Sequence, residues 1–154
     1  MHTGHRVEVW FPKLTASGYT ITSREDWTYN CFAFAAGDRE HWWDPEERGP
    51  TPSMRGFWFE DLPRDITVPN FIAAYAKFGF ERCTDGLVEE GFEKIAIYAD
   101  SDGRPTHASR QLPNGRWMSK AGGYEDFAHF LDSLEGNAGE EYGSVVVYLK
   151  RNRV

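Results

Sequence analysis

The sequence predicts one α+β domain built on a mainly antiparallel sheet, and three observations predict it. The hydrophobic period changes along the chain, from a helical stripe over "VPNFIAAYAKFGF" to alternation from Glu93 onward. The elements read in the order helix, helix, strands, helix, strand, which suits an α+β arrangement. Finally, the clusters Gly49-Pro50-Thr51-Pro52 and Asp102-Gly103-Arg104-Pro105 are too short to link domains, and no repeat or low-complexity segment divides residues 1–154. A chain of 154 residues is long enough to bury a core without disulfides or metal.

Each element has a local reason. "VEVWF" and "GYTIT" alternate weakly, so the first thirty residues read as a strand plus extended chain. Asn30 is a good N-cap, Cys31 to Ala36 are mostly helix formers and Gly37 is a stop, which predicts a short buried helix starting at the thiol. "HWWDPEERGPTPSMRGFWFEDLPRD" is too rich in Pro, Gly and Trp for a regular element and reads as a long ordered loop. Thr67 or Asp65 can cap a second helix that presents Phe71, Ala74, Tyr75 and Phe78 and ends at Gly79. Four strands follow, at Glu93–Asp100, Pro105–Leu112, Gly115–Lys120 and Gly143–Arg151, with Pro113-Asn114-Gly115 as a hairpin turn. Between the last two strands, "YEDFAHFLDSLEG" predicts a third, amphipathic helix: Phe127, Phe130, Leu131 and Leu134 face inward, Glu125 and Asp126 sit at its positive start, and Gly136 ends it.

Composition excludes several function classes. Seventeen Lys and Arg against 24 Asp and Glu leave a formal charge of -7, which repels a phosphate backbone, so no nucleic-acid partner is expected. No apolar run approaches the roughly 18 residues that span a bilayer, and no membrane association is expected. "MHTGHRVEVWFP" lacks the basic start, apolar stretch and cleavage site of a secretory signal, which predicts a cytoplasmic protein, export by a signal-free route aside. Cys31 and Cys83 are too few for a disulfide framework, and Cys83 reads as structural or incidental.

Cys31 and His107 carry the expected chemistry. A thiol in the first turn of a helix sees unpaired N–H groups that favour thiolate, although a free cysteine equally serves as a small core hydrophobe. His107, Ser109 and Gln111 share one face of a strand, and an imidazole delivered from a sheet to such a thiol can take and return its proton. A third group must accept from the other ring nitrogen. If Leu112 pairs with Gly115, His107 lies opposite Lys120; a shift of one residue puts it opposite Ser119 or Ala121. Ser119 is the better neighbour on the hairpin, and Asp126 or His129, one turn apart on the following helix, are the alternatives. The oxyanion donor expected is the backbone N–H of Cys31, with Asn30 or Tyr29 beside it.

These residues carry a resemblance. "YNCFAFA" resembles the thiol motif of NlpC-like cell-wall endopeptidases, a branch of the papain-like cysteine hydrolases, with Asn30 where Asp is usual and Phe32-Ala33 in place of Ser-Gly. The order Cys31, His107, then a polar residue on the next strand matches that branch. The resemblance implies a papain-like (NlpC-like) fold: a central, mainly antiparallel sheet packed against the short cysteine-bearing helix and two further helices. It implies a cysteine peptidase or amidase acting on a peptide or protein-derived amide, without a cofactor. From Pro12 to Arg151 the chain is also similar to an uncharacterised bacterial domain family sharing "YNCFAFAAGD" with a nearby "WW", "GFEKIAIYA", "THASRQLPNGRWMSKAG" and "YGSVVVYLKR". That likeness supports the pair Cys31 and His107 rather than a substrate.

Trp42, Trp43, Trp58 and Trp117, with Phe57 and Phe59, can floor a substrate groove or pack beneath the long loop. Cys31, His41, His107 and His129 are legal zinc ligands, but no two stand at a recognised spacing, so no metal site is expected. The rival from another class is a non-catalytic binding or immunity module that uses the aromatic loop and acidic surface.

Overall fold

Alternating residues of the second half pair into one sheet that carries the whole molecule. The structure is a computed structural model and describes residues 11, 13, 19–21, 26–120, 126–130, 134–135 and 142–153. Its elements are β1 (Thr20–Ile21), α1 (Cys31–Ala36), α2 (Val68–Ala76), β2 (Glu81–Cys83), β3 (Phe92–Ala99), β4 (Pro105–Gln111), β5 (Trp117–Lys120), β6 (Asp126–His129) and β7 (Ser144–Asn152). Among the described residues the sheet has seven strands in the order β1-β6-β5-β4-β3-β7-β2. All its neighbours are antiparallel.

This corrects the papain-like α+β expectation. Only two helices, of 6 and 9 residues, accompany the sheet among the described residues. The third helix is absent from 126–129, where Asp126–His129 instead pairs with β5 through Trp117↔His129, Met118↔Ala128, Ser119↔Phe127 and Lys120↔Asp126. A helical stripe would bury Phe130 with Phe127, yet Phe127 is 0% and Phe130 47% exposed. The run contains Phe, His and Asp, all weak helix formers, and a ladder to β5 outweighs so small a preference. The expected "VEVWF" strand and the positions Glu125, Leu131 and Gly136 lie outside the described residues, apart from the buried Phe11.

Both helices keep the starts their caps predict. Asn30 Oδ1 accepts from the Ala33 N–H, and Gly37 closes α1 at φ 87°. Thr67 caps α2, which also has a proline in its first turn. The helices and the long loop cover one sheet face, where Phe34, Phe71, Tyr75, Trp43 and Trp58 meet Ile95, Ile97, Ala108, Val147 and Leu149. A smaller core of Phe11, Tyr98, Phe127 and Leu134 lies on the other face. The sheet therefore separates a helix-covered side from a side that holds Tyr98 and Phe127.

Gly143 leads into β7 at φ 81°, and a Cβ built there collides with the carbonyl oxygen of Ala99. Gly143→Ala is expected to lower stability by about 1–3 kcal/mol, because it combines a strained dihedral with a clash against backbone that cannot swing aside. Thermal unfolding checks this, with Gly103→Ala as a control at similar φ, 79°, with nothing within 4 Å of its Cβ.

Candidate functional site

The site begins where two strands part. The β4–β5 ladder runs through Arg110↔Met118 and Gln111↔Trp117 and no further. The turn fixes this register: Leu112 N–H donates to the Arg116 carbonyl at 2.7 Å, Gly115 N–H to the Leu112 carbonyl at 2.9 Å, and Gly115 adopts φ 89°. The register is the one-residue shift toward Ala121 and not the Leu112–Gly115 pairing, since Gln111 faces Trp117 and the count carried on places His107 across from position 121. Ser119 then lies diagonally from His107 on the same face, close enough to bond.

Beyond the split, four buried side chains make a chain of hydrogen bonds. His107 Nε2 lies 2.9 Å from Ser119 Oγ. Ser119 Oγ is 2.6 Å from Ser109 Oγ and 2.6 Å from His129 Nε2. His129 Nδ1 is 2.7 Å from the Phe130 carbonyl oxygen. All four residues are 0% exposed.

Proton placement follows from the far end. A carbonyl only accepts, so His129 Nδ1 carries a hydrogen. Burial, joined by the Arg116 charge and opposed by the bond to Phe130, lowers His129 to about 4, so the ring is neutral near pH 7 and its Nε2 is an acceptor. Ser119 must give its single proton there. Its lone pairs then accept from Ser109 and from a hydrogen on His107 Nε2. Burial, and secondarily the His129 charge, holds His107 well below the usual range. His107 Nδ1 is consequently a bare lone pair, and this buried atom has no hydrogen-bond partner among the described residues. Tyr142 stacks on the ring at 4.1 Å and 3° from parallel, and the Tyr98 ring meets it edgewise at 5.4 Å.

Cys31 approaches from the other side of the sheet. Burial pushes its thiol up to about 12, outweighing the backbone N–H groups of Ala108, Phe32 and Cys31 itself and the Lys120 charge, which favour thiolate. Residue 108 directly follows His107, so the sulfur sits one peptide from the imidazole's own backbone. The side chains nevertheless leave β4 on opposite faces: Ala108 joins the core under α1 and Arg110 lies 5.6 Å from the Phe34 ring, while His107 points to Tyr98 and Tyr142. No hydrogen bond joins the thiol to His107. The resting site holds a neutral thiol and a neutral imidazole, which corrects the expectation of a thiolate–imidazolium pair.

Other expected site residues divide. Ser119 and His129 belong to the chain just described. Asp126 is paired with Lys120 in the ladder, and its side chain lies outside the described residues. Asn30 is largely engaged in structure: its Oδ1 accepts from Ala33 and Trp43 N–H groups and one of its two Nδ2 hydrogens goes to the Trp43 carbonyl at 2.8 Å, which fixes the side chain as a cap. Tyr29 is 2% exposed, with the Lys120 ammonium 4.6 Å from its ring centroid. Trp43 and Trp117, expected at a substrate groove, are core residues at 1% and 3% exposure. Trp42 lines an open cleft of about 860 Å³ with Trp27, Met54 and Phe57. That cleft does not include Cys31 or His107.

Sequence reasoning missed Ser109 as a member of the bonded chain, although its shared face with His107 was a sufficient signal. It also missed Lys120, fully buried on the Cys31 side, and Trp27. Among the described residues no three His, Cys, Asp or Glu side chains converge as a metal-binding group, and His41 bonds Asp38 instead at 2.9 Å. No described helix is long and apolar enough to cross a membrane.

A family model described as a domain of unknown function, DUF7689, matches residues 20–150. No curated protein and no solved structure matches the chain.

Proposed function

The chain belongs to the DUF7689 family, whose function is unknown, and from that premise we propose that it is a cysteine hydrolase acting on an amide or related acyl bond of a peptide or protein. The observation that carries the reading is the unpartnered Nδ1 lone pair of His107, buried and fixed in its tautomer by the Ser119–His129 chain, one residue from the amide that meets the Cys31 sulfur. A buried acceptor without a donor is costly, on the order of 1–3 kcal/mol, and persists where a function uses it.

The chemistry follows from the neutral resting state. With the thiol near 12 and the imidazole low, a preformed ion pair is unfavourable. The thiol therefore gives its proton to His107 Nδ1 as its sulfur attacks the substrate carbonyl; the imidazolium protonates the departing amine, and water, deprotonated by the same nitrogen, releases the acid and restores the thiol. Because the two side chains leave β4 on opposite faces, this transfer requires the chain around residue 107 to reorient when substrate enters, and a substrate-bound arrangement that keeps them on opposite faces sinks the reading. The backbone N–H groups now directed at the sulfur are the available oxyanion donors.

The test uses p-nitrophenyl acetate as a generic acyl donor. Expected is a burst of nitrophenolate equal to one equivalent, with the acetyl group on Cys31 by peptide mass mapping. It vanishes in Cys31→Ala and slows about a hundredfold or more in His107→Gln. A burst that survives Cys31→Ala sinks the proposal. So does a folded protein that gives no burst and whose Cys31 resists iodoacetamide from about pH 6 to 9.

That last outcome leads to a second reading, a non-catalytic binding module. It is favoured by the sulfur's burial, at 7% exposure, and by the separate aromatic cleft.

A further inference from the structure

Trp27 and Trp42 form a stacked pair at one wall of the 860 Å³ cleft, their centroids 6.1 Å apart and their planes 12° from parallel. Trp27 is 41% and Met54 49% exposed, and Phe57, backed by the His41 ring at 4.5 Å, adds a further aromatic face. Large apolar side chains gathered at a concavity and left in water mark a binding surface.

The charges around this cleft are not balanced. Glu47 is engaged by Arg55 at 2.6 Å and Arg64 at 3.4 Å. Glu40 and Glu60 also line the cleft, both exposed, and neither carboxylate makes an ion pair among the described residues. His41 is bonded to Asp38. The two free carboxylates stand beside indole faces whose quadrupoles are negative, on a chain of formal charge -7. Both features attract a cation.

We propose that this cleft binds the ammonium or guanidinium side chains of a basic polypeptide segment, seated against Trp27 and Trp42 with Glu40 and Glu60 as counter-charges. This does not rest on the thiol chemistry. It assigns a recognition site that serves a hydrolase or a binding module equally.

Titration of the protein with hexalysine, followed by tryptophan fluorescence, tests it against fully acetylated hexalysine and maltohexaose. Expected is saturable binding of hexalysine alone. It should weaken about tenfold in the double variant Glu40→Gln/Glu60→Gln, fall further in about 0.5 M salt, and be unchanged in Cys31→Ala. Trp27→Ala should abolish it, and the exposed Glu double variant keeps the test valid if the indole is needed for folding. Equal binding of the acetylated peptide, no saturable response to hexalysine, or binding of maltohexaose alone overturns the proposal.

Discussion

Trp43→Ala is expected to cost about 3–5 kcal/mol of folding stability, the range for deleting a fully buried large aromatic. The indole is 1% exposed and meets Trp58 and Phe59 edgewise and Tyr75 and Phe78 at a tilt, with centroids 5.2 to 6.2 Å away. Its Nε1 donates to Asp38 at 2.9 Å, so truncation opens a cavity and also strips a partner from a carboxylate. A domain of this size has roughly 5–15 kcal/mol in all, and each kcal/mol moves the midpoint about 2–4 °C, so the melting temperature should fall by about 6–20 °C. Trp42→Ala, at the cleft wall, should cost about 1 kcal/mol or less. Equal losses in the two variants would show that Trp43 does not anchor the loop.

Acidification from pH 6.5 to 4.5 should destabilise the protein well before its carboxylates protonate. The ordinary histidine value is 6.5, and burial lowers His129 to about 4 in the folded chain. A depressed folded value means that the unfolded state takes up the proton first as pH falls. The stabilisation from the neutral ring is thus complete above 6.5 and is lost progressively down to about 4. For His129 alone the linked change is on the order of 3 kcal/mol over that window, and His107, shifted in the same direction, adds to it. Asp26, Glu47, Asp61, Asp85 and Glu89 are held low by hydrogen bonds from Thr28, Arg55, Lys77, Lys94 and Lys150 respectively. Their contributions are present above the carboxylate range and are lost below it, so measurements above about pH 4.5 report mainly on the histidines. Urea unfolding at stepped pH reads the slope, and His129→Gln should flatten it while lowering stability at pH 7.5. A wild-type stability independent of pH between 6.5 and 4.5, or a His129 ring that titrates near 6.5 by NMR, contradicts the buried chain.

Local signals located α1 and α2 because their causes are local. Asn30, Gly37 and Thr67 satisfy or end helices through atoms within a few residues, and the order of β3, β4, β5 and β7 follows from alternation bounded by turns. Asp126–His129 was misread because Phe127 and Phe130 stand at helical spacing, while the decisive partner, β5, is a nonlocal ladder. Trp43 and Trp117 stayed open between groove and core for a related reason: an indole looks the same in both until its neighbours are in place.

The sequence by itself determined that Cys31 opens a helix, that His107 and Ser119 occupy neighbouring strands, and that the chain is acidic with aromatic residues concentrated in one loop. Tertiary structure alone decided the rest. It chose the hairpin register that puts Ser119 diagonal to His107, turned the imidazole to the face opposite α1, and buried the thiol until desolvation outweighed the helix-start N–H groups. The physical reason is range: caps and periodicity act over a few residues, whereas burial and strand register depend on atoms brought together from distant parts of the chain.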